Sequence, residues 1–226
     1  MTRSTNARVA GVTFLMYIVL GIGSMVLFGR IPSGDVATVV QGYAAHAPEV
    51  NAAIVLTLLC AFAAIVLGVT LYAITRDEDP DLAMLGLTCR TAEGVVNGIS
   101  VLGSLGLLWL ATTTGPDAPS ADGANSIAAF LLGQHWYALI SASFFALGSL
   151  FFSWLLLRGR MIPAWMAWLG VIASILLTIG LPLRLGGMLP GTVVQFLWLP
   201  MALFEIPLGI WFIVKGVRAP QGKAAA

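Results

Sequence analysis

The sequence predicts an all-α integral membrane protein, a six-helix transmembrane bundle with both termini in the cytoplasm. The first reason is composition, because 59% of the 226 residues are hydrophobic and only 9% are charged, against about 25% in a typical soluble domain. The second is that the apolar residues fall into six stretches, each long enough to cross a bilayer at about 20 residues per crossing. The third is the distribution of lysine and arginine between the loops.

The six apolar stretches account for most of the chain. The third and fourth exceed one bilayer crossing, so they are expected to tilt or to project beyond the headgroups. The first follows two arginines, as in a signal peptide, but its apolar run is longer than the roughly 7–15 residues of a cleaved signal, and we expect an uncleaved span. The predicted spans are Val9–Phe28, Asn51–Ile74, Leu82–Leu110, Ser126–Leu157, Pro163–Leu183 and Thr192–Val214.

The basic residues predict the orientation of the bundle. Of the 11 lysines and arginines, eight fall on the side that holds both termini, Arg30 and Arg184 fall on the other side, and Arg90 lies inside a span. Because cytoplasmic loops carry the excess of basic residues, both termini are predicted to be cytoplasmic, in a cell inner (plasma) membrane. Residues 1–218 are predicted to form a single integral membrane domain, and residues 219–226 a disordered cytoplasmic tail.

The outer loop between the first and second spans has a helical pattern of its own. Its apolar side chains at positions 36, 39, 40 and 43 follow i, i+3, i+4 and i+7 spacing and form one stripe. We therefore predict a short interfacial helix, lying on the outer membrane surface between the first two spans. Ser33 and Asp35 are the candidates for its N-cap.

The third span carries charged residues at membrane depth, where each costs several kcal/mol unless it is paired or wetted. Arg90, Glu93 and Asn97 stand at i, i+3 and i+7, so they share one face of the helix. Gly94 and Gly98 adjoin that face and allow a neighbouring helix to approach closely. The third span is therefore predicted to turn a polar face toward the inside of the bundle.

The sixth span supplies another buried acid, Glu205, which lies between Pro200 and Pro207. Each proline removes a backbone donor, and such interruptions are tolerated at membrane depth only where protein or water satisfies the freed carbonyl. At 1.5 Å per residue, Glu205 lies about 20 Å from the outer end of its span and Arg90 about 12 Å from the cytoplasmic end of its own. In a hydrocarbon core of about 30 Å these depths nearly match, so an Arg90–Glu205 ion pair is predicted, with Glu93 one turn away.

Two acids beside one arginine define the candidate catalytic site, which consists of Arg90, Glu93 and Glu205. One guanidinium cannot neutralise both carboxylates, so one acid is expected to hold a proton and to serve as a general acid or a proton carrier. The alternative is a buried ion pair that only fixes helix packing. The candidate ligand-binding residues around this site are Asn97, His135, Tyr17 and Trp211.

His135 in the fourth span has two interpretations. It can relay protons, or it can belong to an aromatic belt at the outer interface beside Trp136 and Tyr137. With two histidines and two cysteines, all far apart, neither a haem nor a zinc site is expected. The sequence therefore indicates no cofactor.

The acidic run at residues 77–81 offers oxygen ligands, which suit a magnesium ion. No matching second acidic motif accompanies it, so we expect no metal. Asp81 is predicted to cap the third span, and the other acids of the run to be solvated near its positive end. A net charge of +1 gives no field for nucleic acid. The expected partners are membrane lipids and a lipophilic small molecule, and no oligomeric state is indicated.

Four stretches together resemble a known membrane family: ARVAGVTFLMYIVLGIGS, RTAEGV, IPAWMAWLG and MALFEIPLGIWFIVKG. From Arg8 to Gly216 the chain is similar to the uncharacterised bacterial multi-pass membrane family known as domain of unknown function 4386. The resemblance implies a small multi-pass bacterial membrane protein and no particular activity. It also implies that five residues match positions that recur in the family, namely Arg90, Glu93, Glu205, Trp211 and Lys215.

The sequence thus predicts a multi-pass membrane protein with an intramembrane Arg/Glu pocket in its cytoplasmic half. The leading hypothesis is that the pocket binds or transforms a lipophilic small molecule by acid–base chemistry, with Arg90 orienting the acid or binding an anionic group. One alternative is a proton-coupled small-molecule transporter or channel, in which Asn97, Ser100, Ser104 and His135 offer a sparse outer route. The other is a structural or accessory membrane subunit whose ion pair serves folding only.

Overall fold

The computed structural model describes residues 1–116, 118–133 and 136–219, and most of these residues are helical. Six spans are long and apolar enough to cross a membrane, and α5 and α6 together form one of them. The predicted all-α bundle of six spans, with a short helix between the first two, is confirmed, and the protein is a multi-pass membrane protein. The helices are α1 (Arg3–Phe28), α2 (Val36–Ala45), α3 (Ala47–Thr75), α4 (Pro80–Thr112), α5 (Ala121–Gly133), α6 (Trp136–Arg158), α7 (Ala164–Leu185) and α8 (Gly191–Val214).

Capping hydrogen bonds mark the first residues of two spans, α1 and α4. The hydroxyl of Thr2 accepts from the backbone N–H of Thr5, so α1 starts well before the apolar run. The predicted N-cap of α4, Asp81, is wrong: Asp79 caps this helix by accepting from the N–H of Leu82 at 3.2 Å. The reason is Pro80, which favours the first helical position because it has no N–H to satisfy there and its φ is already helical.

The six spans form a closed ring in the order α1, α3, α4, α6, α7 and α8, and α8 completes the ring against α1. Each span therefore packs beside the spans that precede and follow it in the chain. The outward surface of the ring consists of large exposed apolar side chains, as a surface in contact with lipid requires. The inside of the ring holds the main apolar core and three buried charged residues, Arg90, Glu93 and Glu205.

Both described ends of the chain lie on one face of the ring, which we call the terminal face. Arg3 pairs with Asp77 in the turn between α3 and α4, and Arg158 at the end of α6 reaches the same turn. The N–H of Arg218 donates to the carbonyl of Met161 in the turn after α6, at 3.1 Å. We call the opposite face the outer face, and the cytoplasmic location of the terminal face stays a prediction.

The acidic run on the terminal face is paired with arginine, although the sequence predicted solvated charges. Arg158 lies 3.1 Å from a carboxylate oxygen of Glu78 and 3.2 Å from one of Asp79. Only 5% of the Glu78 side chain is exposed, whereas the Arg158 side chain is half-exposed, so the pair lies at the boundary with solvent. The run therefore ties the ends of α1 and α6 to the turn that precedes α4.

The short helix α2 lies at the outer end of the bundle. Asp35 caps it by accepting from the N–H of Thr38 at 2.8 Å, and hydrogen bonding with Thr38 lowers the pKa of the Asp35 carboxyl. The apolar stripe of α2 packs against α4 and α5, where Tyr43 joins a cluster with Val101 and Ala128. The stripe thus faces other helices, and α2 forms part of the outer end of the protein.

Candidate functional site

Arg90 of α4 lies inside the ring with 1% of its surface exposed. Its side chain fits there because the helices on both sides of α4 offer a glycine. A Cβ added at Gly68 of α3 would lie 2.9 Å from Cβ of Arg90, and one at Gly148 of α6 would lie 3.2 Å from Cδ of Arg90. The two glycines therefore provide the space in which α4 carries an arginine into an apolar core.

The ion-pair partner of Arg90 is Glu93, one turn along the same helix. Nη1 of Arg90 lies 2.9 Å from Oε2 of Glu93, which is 2% exposed. Tyr17 of α1 donates its hydroxyl to Oε1 of Glu93 at 2.8 Å. Ser141 of α6 donates to the backbone carbonyl of Glu93 at 3.1 Å. Three helices thus meet at this glutamate.

Two aromatic rings flank the guanidinium of Arg90. Its Cζ lies 4.9 Å from the centre of the Phe145 ring and 5.5 Å from the centre of the Tyr17 ring. Both distances fall within the roughly 6 Å over which a ring face attracts a cation. These contacts replace part of the hydration that the guanidinium loses on burial.

The guanidinium nevertheless lacks hydrogen-bond acceptors. Within the described residues, none of its three nitrogens has an acceptor at hydrogen-bonding geometry, and Oε2 of Glu93 has no donor. The 2.9 Å contact between them is therefore an ion pair by distance but is misaligned as a hydrogen bond. A buried donor without a partner costs about 1–3 kcal/mol, and more when it is charged. The N–H groups of Arg90 are thus able to bind a further acceptor.

Glu205 of α8 is the second buried acid of the site and is 6% exposed. Together with Arg90, and with Ser149 and Ser153 of α6, it lines a void of about 10 Å³. One water molecule needs about 10–15 Å³ measured in this way. Among the described residues, Glu205 makes no ion pair within 4.0 Å. The void is therefore the space across which Glu205 and Arg90 face each other.

The predicted Arg90–Glu205 ion pair differs from the pair that the structure shows. Glu93 is the partner because helix geometry already places residues i and i+3 side by side, whereas Glu205 has to reach across from α8. The matched depths of Arg90 and Glu205 are nevertheless real, since both line the same void. What the sequence predicted as a pocket is a space of about the size of one water molecule.

The other predicted site residues are spread along the bundle. Tyr17 reaches the centre, as described, whereas Asn97 lies half-buried one turn beyond Glu93 on the same face of α4. Trp211 packs against the edge of the apolar core and does not line the void. His135 falls outside the described residues.

Sequence reasoning missed the part that α6 plays. The residues that α6 contributes to the site recur every four positions, which places them along one side of the helix. The signal was present in the sequence as hydroxyl and aromatic side chains at helical spacing, but serines are common in membrane helices and this spacing alone points to no partner. The four residues are Ser141, Phe145, Ser149 and Ser153.

Gly94 sets the distance between α3 and α4. A Cβ at Gly94 would lie 2.7 Å from the backbone carbonyl oxygen of Ala61, so any side chain there forces one helix to move. At Gly98 a Cβ would meet Ala61 at an ordinary contact distance of 3.9 Å. The close approach predicted for this pair of glycines is therefore confirmed at Gly94, and the neighbour is α3.

Gly94→Ala is expected to lower the free energy of unfolding by about 1–3 kcal/mol, because overpacking shifts two helices. Gly103→Ala is the matched control on the same helix, since a Cβ there meets nothing within 4 Å. The control should be neutral or stabilising by up to about 1 kcal/mol, because alanine favours helix more than glycine does. Reversible unfolding in mixed micelles, followed by circular dichroism, measures the free energy of unfolding of both variants. Equal stability of the two variants would contradict the close approach of α3 and α4 at Gly94.

A second and larger space, which we call the outer cavity, lies toward the outer face. Its volume is about 560 Å³, it opens to the surface, and it is lined by the end of α1, the turn that follows, α2, α4, α5 and the start of α6. Ser100 and Ser104 form its polar wall on α4. They continue the face of Arg90, Glu93 and Asn97 at i+10 and i+14, so one polar stripe connects the buried charges with the outer cavity.

Comparison with known proteins identifies a family. Residues 9–216 match the model of a family described as Domain of unknown function (DUF4386). No curated protein and no solved structure matches the chain. The match includes every residue of the site described above, and it agrees with the resemblance carried by the four sequence stretches.

Proposed function

We propose that this chain, which belongs to the DUF4386 family, is a proton-coupled transporter of small molecules in a bacterial inner (plasma) membrane, with both termini in the cytoplasm. Arg90, Glu93 and Glu205 form its proton-binding centre. The proton is taken up and released inside the ring of helices. The polar stripe of α4 connects this centre with the outer cavity.

The observation that carries the proposal is a charge imbalance inside the ring. Two carboxyl groups, those of Glu93 and Glu205, face one guanidinium, that of Arg90. The group is neutral only when one carboxyl holds a proton. An uncompensated charge at this depth is costly, so the centre is expected to bind a proton.

The contacts favour Glu205 as the residue that holds the proton. Glu93 lies 2.9 Å from Arg90 and accepts the hydroxyl of Tyr17, and both contacts stabilise a carboxylate. Glu205 has no cation within 4.0 Å among the described residues, and apolar surroundings favour its neutral form. When Glu205 loses its proton, its carboxylate becomes an acceptor for the unpaired N–H groups of Arg90 on the other side of the void.

The helix that carries Glu205 is suited to such a movement. Pro200 and Pro207 lie inside α8 on either side of Glu205, and each leaves the carbonyl four residues earlier without its helical donor. Prolines are the usual cause of helix bending. A carboxylate that turns toward Arg90 therefore pulls on a helix whose backbone hydrogen bonding is weakened on both sides of Glu205. Transporters commonly place interrupted helices at their binding sites.

The size of the void separates this proposal from chemistry on a lipophilic substrate at the same acids. A void of about 10 Å³ admits roughly one water, whereas small-molecule sites measure about 300–1,000 Å³. A proton carried by water fits beside Glu205, and a lipophilic molecule does not. Proton exchange is therefore better supported than acid–base catalysis at this position.

A structural role is the second candidate, and the tight packing around Arg90 favours it. Gly68 and Gly148 hold the arginine side chain between α3 and α6, so the ion pair with Glu93 also fixes α4 within the ring. If the charges serve folding alone, Glu205→Gln should change neither proton movement nor transport. The following experiment separates the two functions.

Glu205→Gln is expected to abolish protein-dependent proton movement across proteoliposomes. The change removes the exchangeable proton and keeps the size of the side chain. Vesicles contain a pH-sensitive dye, and a potassium diffusion potential with valinomycin drives protons inward. Because the vesicles hold no substrate, the assay measures the uncoupled passage of protons through the centre. The wild-type protein should acidify the lumen faster than protein-free vesicles do, and the variant should match the protein-free rate.

Glu49→Gln is the matched control, because Glu49 lies at the outer start of α3 and faces His46 at 3.8 Å, away from the proton-binding centre. It should keep the wild-type rate. Equal rates for the wild-type protein and Glu205→Gln would contradict proton passage through Glu205 and would leave the structural role as the better account.

A further inference from the structure

We propose that the outer cavity binds an uncharged amphiphile, a molecule with a hydrogen-bonding head such as a hydroxyl or carbonyl group and a hydrocarbon body. The cavity measures about 560 Å³, within the range of about 300–1,000 Å³ in which proteins bury small ligands. It is separate from the void beside Glu205. Binding there does not depend on the proposed proton transport.

Five residues with a hydroxyl group line the outer cavity, and they come from four parts of the chain. The rest of the wall is hydrocarbon, including leucines of α4 and α5. A mainly apolar lining with a few convergent polar groups is typical of small-molecule sites, in which the polar groups fix the orientation of the ligand. The hydroxyls belong to Ser33, Tyr43, Ser100, Ser104 and Tyr137.

The charges around the outer cavity favour a neutral ligand. None of the described residues that line it is charged. The nearby Arg30 and Asp35 are exposed, and the carboxylate of Asp35 caps α2. A charged group that enters the cavity would give up part of its hydration without gaining a counter-ion, which costs more than burying a hydroxyl or carbonyl that makes hydrogen bonds.

Tyr43 is placed to bind the head of such a ligand. Its side chain is 7% exposed. Burial raises the pKa of its phenol, and the nearby Ser104 hydroxyl opposes that rise. The hydroxyl therefore stays protonated, so it can donate to a carbonyl or accept from a hydroxyl.

Gly103 provides space for the ligand between the two serines of α4. A Cβ at Gly103 would meet nothing within 4 Å, and this position lines the outer cavity. A large side chain at position 103 can therefore fill the cavity from within one helix. The neighbouring Leu102 is 65% exposed and does not line the cavity.

Photolabelling with two matched probes tests the proposal on the full chain in nanodiscs of zwitterionic lipid. One probe is a long-chain alcohol and the other is the corresponding alkyl sulfate, and both carry the same diazirine and terminal alkyne. We expect the alcohol to label peptides that contain Tyr43 and Ser100–Leu107 in a saturable manner. The sulfate should label these peptides about tenfold less, because its charge has no partner in the cavity.

Three variants locate the labelling. Gly103→Trp fills the cavity and should abolish saturable labelling, whereas the matched control Leu102→Trp faces lipid and should label as the wild type does. Ser100→Ala combined with Ser104→Ala removes two hydroxyls without adding volume and should weaken binding of the alcohol about five- to tenfold. This double variant tests the cavity even if Gly103→Trp folds poorly. Equal labelling by both probes, or saturable labelling that persists in both cavity variants, would overturn the proposal.

Discussion

Arg90→Met is expected to lower the free energy of unfolding by about 3–5 kcal/mol, because it leaves a buried carboxylate without its cation. Methionine keeps an unbranched apolar stem but is shorter than arginine, so part of the loss reports the space that the guanidinium leaves. Glu93 then keeps only the hydroxyl of Tyr17, which donates at 2.8 Å. Reversible unfolding of the purified protein in mixed micelles measures the difference.

The double variant Arg90→Met/Glu93→Met provides the internal check on this expectation. Replacing both members of a buried ion pair with apolar residues is often neutral or stabilising, whereas removing one member is not. The double variant should therefore recover most of the stability that Arg90→Met loses. Arg30→Met on the outer side is the control, since Arg30 is exposed, and should remain close to the wild type. A fully stable Arg90→Met would contradict the charged centre.

The second large effect is expected for Glu93→Gln/Glu205→Gln, which should lose about 3–5 kcal/mol because no carboxylate then balances Arg90. Each single change should cost much less. Glu205→Gln exchanges one neutral group for another and should cost about 1 kcal/mol or less. In Glu93→Gln, Glu205 ionises and takes over the role of counter-ion, so about 1–2 kcal/mol should be lost.

The coupling between the two acids is therefore the quantity to measure. The losses in free energy of unfolding caused by substitutions at independent sites add to within about 0.3–0.5 kcal/mol. For groups that share a partner, the loss in the double variant departs from the sum of the single losses by about 0.5–3 kcal/mol. We expect the double variant to lose more than the sum of the two single losses, whereas Glu49→Gln combined with Glu205→Gln should be additive. Additive losses for Glu93 and Glu205 would mean that the two acids do not share Arg90.

The fold was predictable because each span is a long apolar run, and membrane depth leaves helices as nearly the only choice. The ends of the spans were less predictable, since they depend on single capping hydrogen bonds such as those of Thr2 and Asp79. The stripe of α2 shows a different limit. Its spacing predicted an amphipathic helix, but spacing does not reveal whether an apolar face meets lipid or, as the structure shows, α4 and α5.

The site was predictable where one helix determines it. The spacing of Arg90 and Glu93 placed them together, and the structure pairs them at 2.9 Å. The position of Glu205 relative to Arg90 depends on how α8 is rotated in the ring, and depth along a helix does not contain that information. The outer cavity depends on five helices and a turn, so no local pattern predicts it. The role of His135 and the cytoplasmic location of the termini stay predictions.

Infrared difference spectroscopy of the carboxyl groups measures the proton on Glu205 most directly. At neutral pH we expect the wild-type protein to show one protonated carboxyl that exchanges slowly with deuterium oxide, because Glu205 is buried. The signal should be absent from Glu205→Gln and from Glu93→Gln, in which Glu205 ionises, and it should remain in Glu49→Gln. A wild-type spectrum without a protonated carboxyl, or a signal that survives Glu205→Gln, would contradict a proton-binding centre at Arg90, Glu93 and Glu205.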